Sequence, residues 1–216
     1  MLEAKINELK RELIGFATLV EHMIEKSVKG LLDKNRELLL EVVEHDEPKA
    51  NNSELELDEM CTTLIAQFEP KAKDLRIILM IAKMSNDLER MGDHAVNIAE
   101  SSFFLTERPS VKPLPDLPKM AELAIKMLKD STNSFINEDA SLAKNVCERD
   151  GRVDDLKDQL LRKLITFMSA DTSTIERSLH LLRISNNLER IADLSTNICE
   201  DTIFMTEGKV IKHPKG

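Results

Sequence analysis

Ser85-Asn86-Asp87-Leu88-Glu89-Arg90-Met91-Gly92-Asp93-His94-Ala95-Val96-Asn97-Ile98-Ala99-Glu100 recurs as Ser185-Asn186-Asn187-Leu188-Glu189-Arg190-Ile191-Ala192-Asp193-Leu194-Ser195-Thr196-Asn197-Ile198-Cys199-Glu200. The copies run in step without a gap, and each ends in Phe-x-Thr-Glu, at Phe104 to Glu107 and at Phe204 to Glu207. About half of the aligned positions are identical, which marks a duplicated unit. On a helix of 3.6 residues per turn, Glu89, Asp93, Asn97 and Glu100 share one face, as do Glu189, Asp193, Asn197 and Glu200. Leu88, Met91, Ala95 and Ile98 fall on the side that a core requires. A solvated face needs only to be polar; it does not need the same oxygen-bearing residues twice at the same spacing.

Outward from this repeat, the chain reads as all-helical. Its 216 residues include six Gly, no Trp and no Tyr, and are 42% hydrophobic and 32% charged. Abundant Leu, Ile, Met, Glu and Lys favour helix, and the length is ample for a core. The apolar stripe Ile6, Leu9, Leu13, Phe16, Leu19, Val20, Met23 and Ile24 predicts a first helix to about residue 33, with Asp33 or Asn35 capping a second. That second helix runs to about Gln67 and contains Pro48, so a kink or bulge is expected between Glu47 and Asn52. Pro70 suits the first turn of a third helix reaching about Thr106.

Pro109, Pro113, Pro115 and Pro118 mark a linker. Beyond it, helices are expected over about 118–136, 138–168 (with Gly151 as a weak point) and 172–206, before a short basic tail. The chain thus divides into a first three-helix repeat (1–107), a linker (108–117), a second repeat (118–207) and the tail (208–216). The fold class is all-α: two tandem three-helix bundles, six long antiparallel helices in all.

Composition narrows the function. The formal charge of −9 argues against direct nucleic-acid binding, which needs a basic face. Met1 to Arg11 lacks the apolar centre of a signal peptide, and no apolar run approaches the roughly 20 residues of a membrane span. Cys61, Cys147 and Cys199, scattered and odd in number, read as reduced thiols. A cytoplasmic protein without membrane insertion is expected.

Within each half, the second and third helices form a hairpin, so residues equally distant from the turn face each other. That register sets Glu89/Asp93 against Asp46/Asn51, and Glu189/Asp193 against Asp150/Asp154, with Glu148 and Glu54 as further donors. Converging carboxylates without matching Lys or Arg repel one another unless protonated, solvated or bound to a cation. An all-oxygen set suits magnesium, calcium, manganese or iron better than structural zinc. His94 lies beside the stripe in one copy and reads as a surface residue rather than a ligand. A plain ion-pair lattice, with Arg90 three residues from Asp93, is the competing reading. The chain has no Glu-x-x-His pairs of di-iron oxidases, no Walker A loop and no obvious nucleophile arrangement.

Leu88 to Asp93 with Asn97-Ile98, and Leu188 to Asp193 with Asn197 to Glu200, resemble the paired signature of the PhoU family of phosphate-uptake regulators. Pro70 to Arg76 and Val153-Asp154 are similar to further motifs of that family, and the resemblance spans nearly the whole chain. It implies two three-helix bundles and a non-enzymatic negative regulator of the phosphate-starvation response. That regulator links a phosphate ABC transporter ATPase to a sensor histidine kinase. The resemblance also implies clusters of iron or zinc on Glu89/Asp93, Glu189/Asp193 and Asp150/Asp154, with manganese and magnesium as alternatives, and a homodimer is expected. Ala192 in place of Gly is easily tolerated. Asn51 and the disturbed spacing near Pro48 make the first acidic face the weaker expectation. A carboxylate-bridged metalloenzyme and a metal-free helical scaffold are the alternatives.

Overall fold

The computed structural model describes residues 1–111 and 116–207. Described segments of the expected linker lie on either side of residues 112–115; those four residues and the expected basic tail lie outside the description. Six helical rods run through the molecule, the second and fifth of them interrupted. The first rod is α1 (Leu2–Leu32). The second comprises α2 (Arg36–Glu41), a π-helical turn (Val42–Asp46) and α3 (Glu47–Phe68). The third is α4 (Lys73–Thr106) and the fourth α5 (Asp116–Ile136). The fifth joins α6 (Ala140–Cys147) to α7 (Asp150–Ala170). A 3-10 turn (Thr172–Thr174) leads into α8 (Ile175–Glu207).

The helix ends follow local chemistry. Asn35 caps α2, its side-chain oxygen accepting from the N–H groups of Glu37 and Leu38 at 3.0 and 3.2 Å. Asp139 does the same for α6 through Leu142 N–H. The disturbance caused by Pro48 lies one turn earlier than expected, in Val42–Asp46. Proline sits comfortably in the first turn of α3, and the extra residue is absorbed ahead of it, where a regular helix would press the ring against the carbonyl four residues back.

Pro70 does not open α4. It lies in a tight reversal between Glu69 (φ 45°) and Ala72 (φ 49°), and α4 begins at Lys73. α5 starts two residues before the expected 118, at Asp116, whose buried carboxylate pairs with Lys163. The fifth rod breaks at Glu148 and Arg149 rather than at Gly151. Arg149 there is tethered to Asp130 at 2.6 Å and to Asn145 at 2.7 Å, while Gly151 enters the first turn of α7.

α1, α3 and α4 pack as one bundle, and α5, α7 and α8, with α6, as the other. The halves join because α4 packs on α8 and α1 on α5, giving one continuous core. The apolar stripe of α1 is used inside it: Leu9, Leu13, Val20, Met23 and Ile24 are wholly buried. Each such side chain contributes about 1.5–3 kcal/mol of burial.

α4 and α8 run antiparallel: Lys83 pairs with Asp201 at 2.6 Å, His94 bonds Asn187 at 2.8 Å, and Phe104 stacks on His180 at 3.8 Å. The repeated segments therefore cross each other at the centre of the molecule. All three cysteines are free thiols.

Candidate functional site

The acidic stripe of α4 faces α3 at the level of Gly92, where a Cβ would lie 3.7 Å from that of Ala50. One turn along, Glu54 of α3 acts on Glu89. Partial burial pushes the Glu89 carboxyl above its usual range, and the negative charges of Asp93 and Glu54 push it further, against Arg90. Arg90 itself lies 3.5 Å from Asp87. The first half thus gathers Glu54, Glu89 and Asp93 with Arg90 as the opposing cation.

The second half is balanced differently. Lys157 of α7 donates to Glu189 Oε1 at 2.9 Å, and Arg190 donates to Asp193 at 3.0 Å. Asp193 is still raised, first by burial and then by Glu189, with Asp154 adding to this and Arg190 opposing it. Lys157 therefore stands opposite Glu189 where Glu54 stands opposite Glu89. The expectation that these carboxylates converge without basic partners does not hold for the second half.

Asp46 is not brought to Glu89. The π-helical turn carries it inward, to 2% exposure, where Lys26 of α1 donates to it at 2.7 Å and also reaches Glu41 at 2.6 Å. Burial works against the charged Lys26, but its hydrogen bonds to Asp46 and Glu41 overcome that and raise its pKa. Asn51 is exposed on α3. Asp154 is exposed on α7 and acts on Asp193, whereas half-buried Asp150 acts on the thiol of Cys147. Glu148, exposed, ends α6. Glu100 is exposed, Glu200 is half-buried beside Cys147, and Asn197 is half-buried on the α8 stripe. Asn97 turns its amide back onto the carbonyl of Asp93 at 2.9 Å.

His94 is not a surface residue on the stripe; it bonds Asn187 across the joint between the halves. Asp87, in the same repeat position as Asn187, is buried and its Oδ2 has no hydrogen-bond partner. The pairing of α4 with α8 that creates both situations left no signal in the hairpin register.

Glu54, Glu89 and Asp93 fit a hard cation by chemistry, since oxygen donors and uncompensated negative charge are what such an ion needs. They do not form a closed shell: among the described residues, no three His, Cys, Asp or Glu side chains are gathered tightly enough to hold a metal ion. Among the same residues, no helix is long and apolar enough to cross a membrane.

Comparison with known proteins agrees with this architecture. The PhoU domain matches residues 13–102 and again 117–202. The phosphate-specific transport system accessory protein PhoU homolog of Aquifex aeolicus is 40% identical over 209 residues, covering 97% of this chain and 94% of that one. PhoU homolog 2 of Thermotoga maritima is 31% identical over 98% of this chain and 90% of its own length. The crystal structure of PhoU from Pseudomonas aeruginosa superposes with a TM-score of 0.92 at 31% identity, over 97% of this chain and all of that one. That of the phosphate transport system regulatory protein PhoU from Streptococcus pneumoniae gives 0.91 at 27%, over 98% and 100%. With two domain matches, near full-length relatives and the same six-rod fold, this chain belongs to the PhoU family.

Proposed function

We propose that this chain is a non-enzymatic negative regulator of phosphate uptake, an adaptor between a phosphate ABC transporter ATPase and a sensor histidine kinase. The observation that carries the reading is kinship along the whole length: a relative named as a phosphate-specific transport system accessory protein aligns with 97% of the chain. The physical part of the proposal concerns the acidic faces. A divalent cation (iron, zinc, manganese or magnesium) held loosely by Glu54, Glu89 and Asp93, with water completing its shell, would draw these carboxylates together and tie α3 to α4. It would stabilise only the closed bundle and so bias the surface offered to a partner.

The test is metal content by elemental analysis of untagged protein, together with affinity for the transporter ATPase and for the kinase with and without metal. Wild type is compared with Glu89→Gln/Asp93→Asn and with Glu189→Gln/Asp193→Asn. Stoichiometric metal lost in the first double variant, with a change in partner affinity, supports the reading. Equal stability and equal affinity of loaded and stripped protein would remove the metal from it. Failure to bind either partner in both states would overturn the adaptor itself. The Lys157–Glu189 pair favours a metal-free second half, in which the acidic face is held by protein cations alone.

A further inference from the structure

The groove between α5 and the α6/α7 rod carries charge opposite to that of the chain. Lys119, Lys126, Arg149 and Arg152 line a cleft of about 730 Å3 whose carboxylates are Glu122 and Asp155. Four cations less two carboxylates leave +2 on the lining, or +1 once Asp130, paired with Arg149 behind it, is counted, in a chain of net −9. The corresponding groove of the first half, between α1 and α3, is about 120 Å3 and holds Glu12 and Glu56 with no Lys or Arg. The positive charge is therefore not a consequence of the repeated fold. It comes from side chains special to the second half.

Arg149 is fixed in place, donating to Asp130 at 2.6 Å and to Asn145 at 3.1 and 2.7 Å. Lys119, Lys126 and Arg152 are exposed, and among the described residues they form no ion pair. Arg149 and Arg152 lie at the start of the 21-residue α7, where the helix end adds partial positive charge. Guanidinium forks match phosphate oxygens two at a time, and lysines add mobile point charges. The lining offers Leu123 and Leu156 as a small apolar floor but no aromatic ring on which a nucleobase could stack. The complement of this surface is small and multiply charged.

We propose that this groove binds a compact phosphate-bearing anion, of the class of pyrophosphate or a short condensed phosphate, without a metal ion. This site lies on the Arg149, Arg152, Asp155 face of α7, apart from the Asp154, Lys157 face that meets α8, and it does not depend on the adaptor role. Calorimetric titration of pyrophosphate into EDTA-treated full-length protein at fixed ionic strength tests it. Saturable one-site binding is expected, weakened roughly tenfold or more in Lys126→Gln/Arg152→Gln. Both side chains are exposed, so the thermal melt of that variant should match wild type, which separates lost binding from lost fold. No saturable binding at millimolar pyrophosphate, or equal binding by the variant, overturns the proposal. So does binding that needs a divalent cation and disappears in Glu89→Gln, which would place the anion on the acidic faces. Poly-aspartate binding that pyrophosphate cannot displace would assign the groove to an acidic polypeptide instead.

Discussion

Lys157 Nζ sits 2.9 Å from Glu189 Oε1, and in the first half of the molecule the place opposite the matching Glu89 is taken by Glu54. One duplicated scaffold thus presents an ion pair on one side and a like-charge contact on the other.

Glu54→Lys should copy the second-half pair into the first half. In metal-free protein it is expected to stabilise by roughly 1 kcal/mol, or about 2–4 °C in Tm for a chain of this size. The same substitution should abolish any stabilisation by added manganese or magnesium. An unchanged metal response in thermal melts would show that Glu54 takes no part in cation binding.

Asp87 gives a pH dependence of definite sign. Burial pushes its carboxyl up to about 6, with Arg90 and Lys83 opposing and Asp201 adding. Its folded pKa thus lies above the unfolded value of 3.8, so the folded state holds the proton more tightly. The group costs nothing below about pH 4, where it is protonated in both states. Its penalty grows as pH rises and is complete above the folded pKa, at about 3 kcal/mol. Asp87→Asn, the residue found at 187, should raise stability at pH 7 and flatten this part of the profile between pH 4 and 6. Denaturant melts across that range would expose the error if the slope survived the substitution.

Lys26 and Asp46 test whether Asp46 is structural. Lys26→Met leaves a carboxylate that is 2% exposed with, among the described residues, Lys49 as its one cation at 3.4 Å, and should cost about 3 kcal/mol. Asp46→Asn keeps an acceptor for Lys26 and should cost about 1 kcal/mol. Neither should alter metal content, and loss of metal in Asp46→Asn would restore Asp46 to the ligand set.

Gly92 and Gly30, both buried, should respond with opposite signs. At Gly92 an added Cβ meets ordinary contacts, the nearest 3.7 Å away, and Ala192 already fills the matching position. Gly92→Ala is therefore expected to stabilise by about 0.5–1 kcal/mol through helix propensity. At Gly30 the same atom would lie 2.4 Å from Leu39 Cδ2, a fully packed side chain. Gly30→Ala should destabilise by about 1–2 kcal/mol net of the propensity gain. Urea melts of the two variants give both values.

The sequence by itself determined the all-helical class, the duplication and the buried face of the first helix and of the repeated segment. Those properties are set by residue type and by a period of 3.6, which act within one segment: Leu88, Met91, Ala95 and Ile98 are all buried. It also narrowed the cap of the second helix to Asp33 or Asn35, because capping needs only the two or three residues that follow, and the structure uses Asn35. What only the tertiary structure decided is the partner of each polar side chain. A π-helical turn of five residues redirected Asp46 from Glu89 to Lys26, and the reversal around Pro70 shifted the α3/α4 register so that Glu54 faces Glu89. The packing of α4 on α8 gave His94 its Asn187 and left Asp87 buried with its Oδ2 lacking a hydrogen-bond partner. Such pairings depend on rotations and shifts of a single residue between helices distant in sequence, and on which cation a neighbouring rod supplies. No local periodicity encodes them.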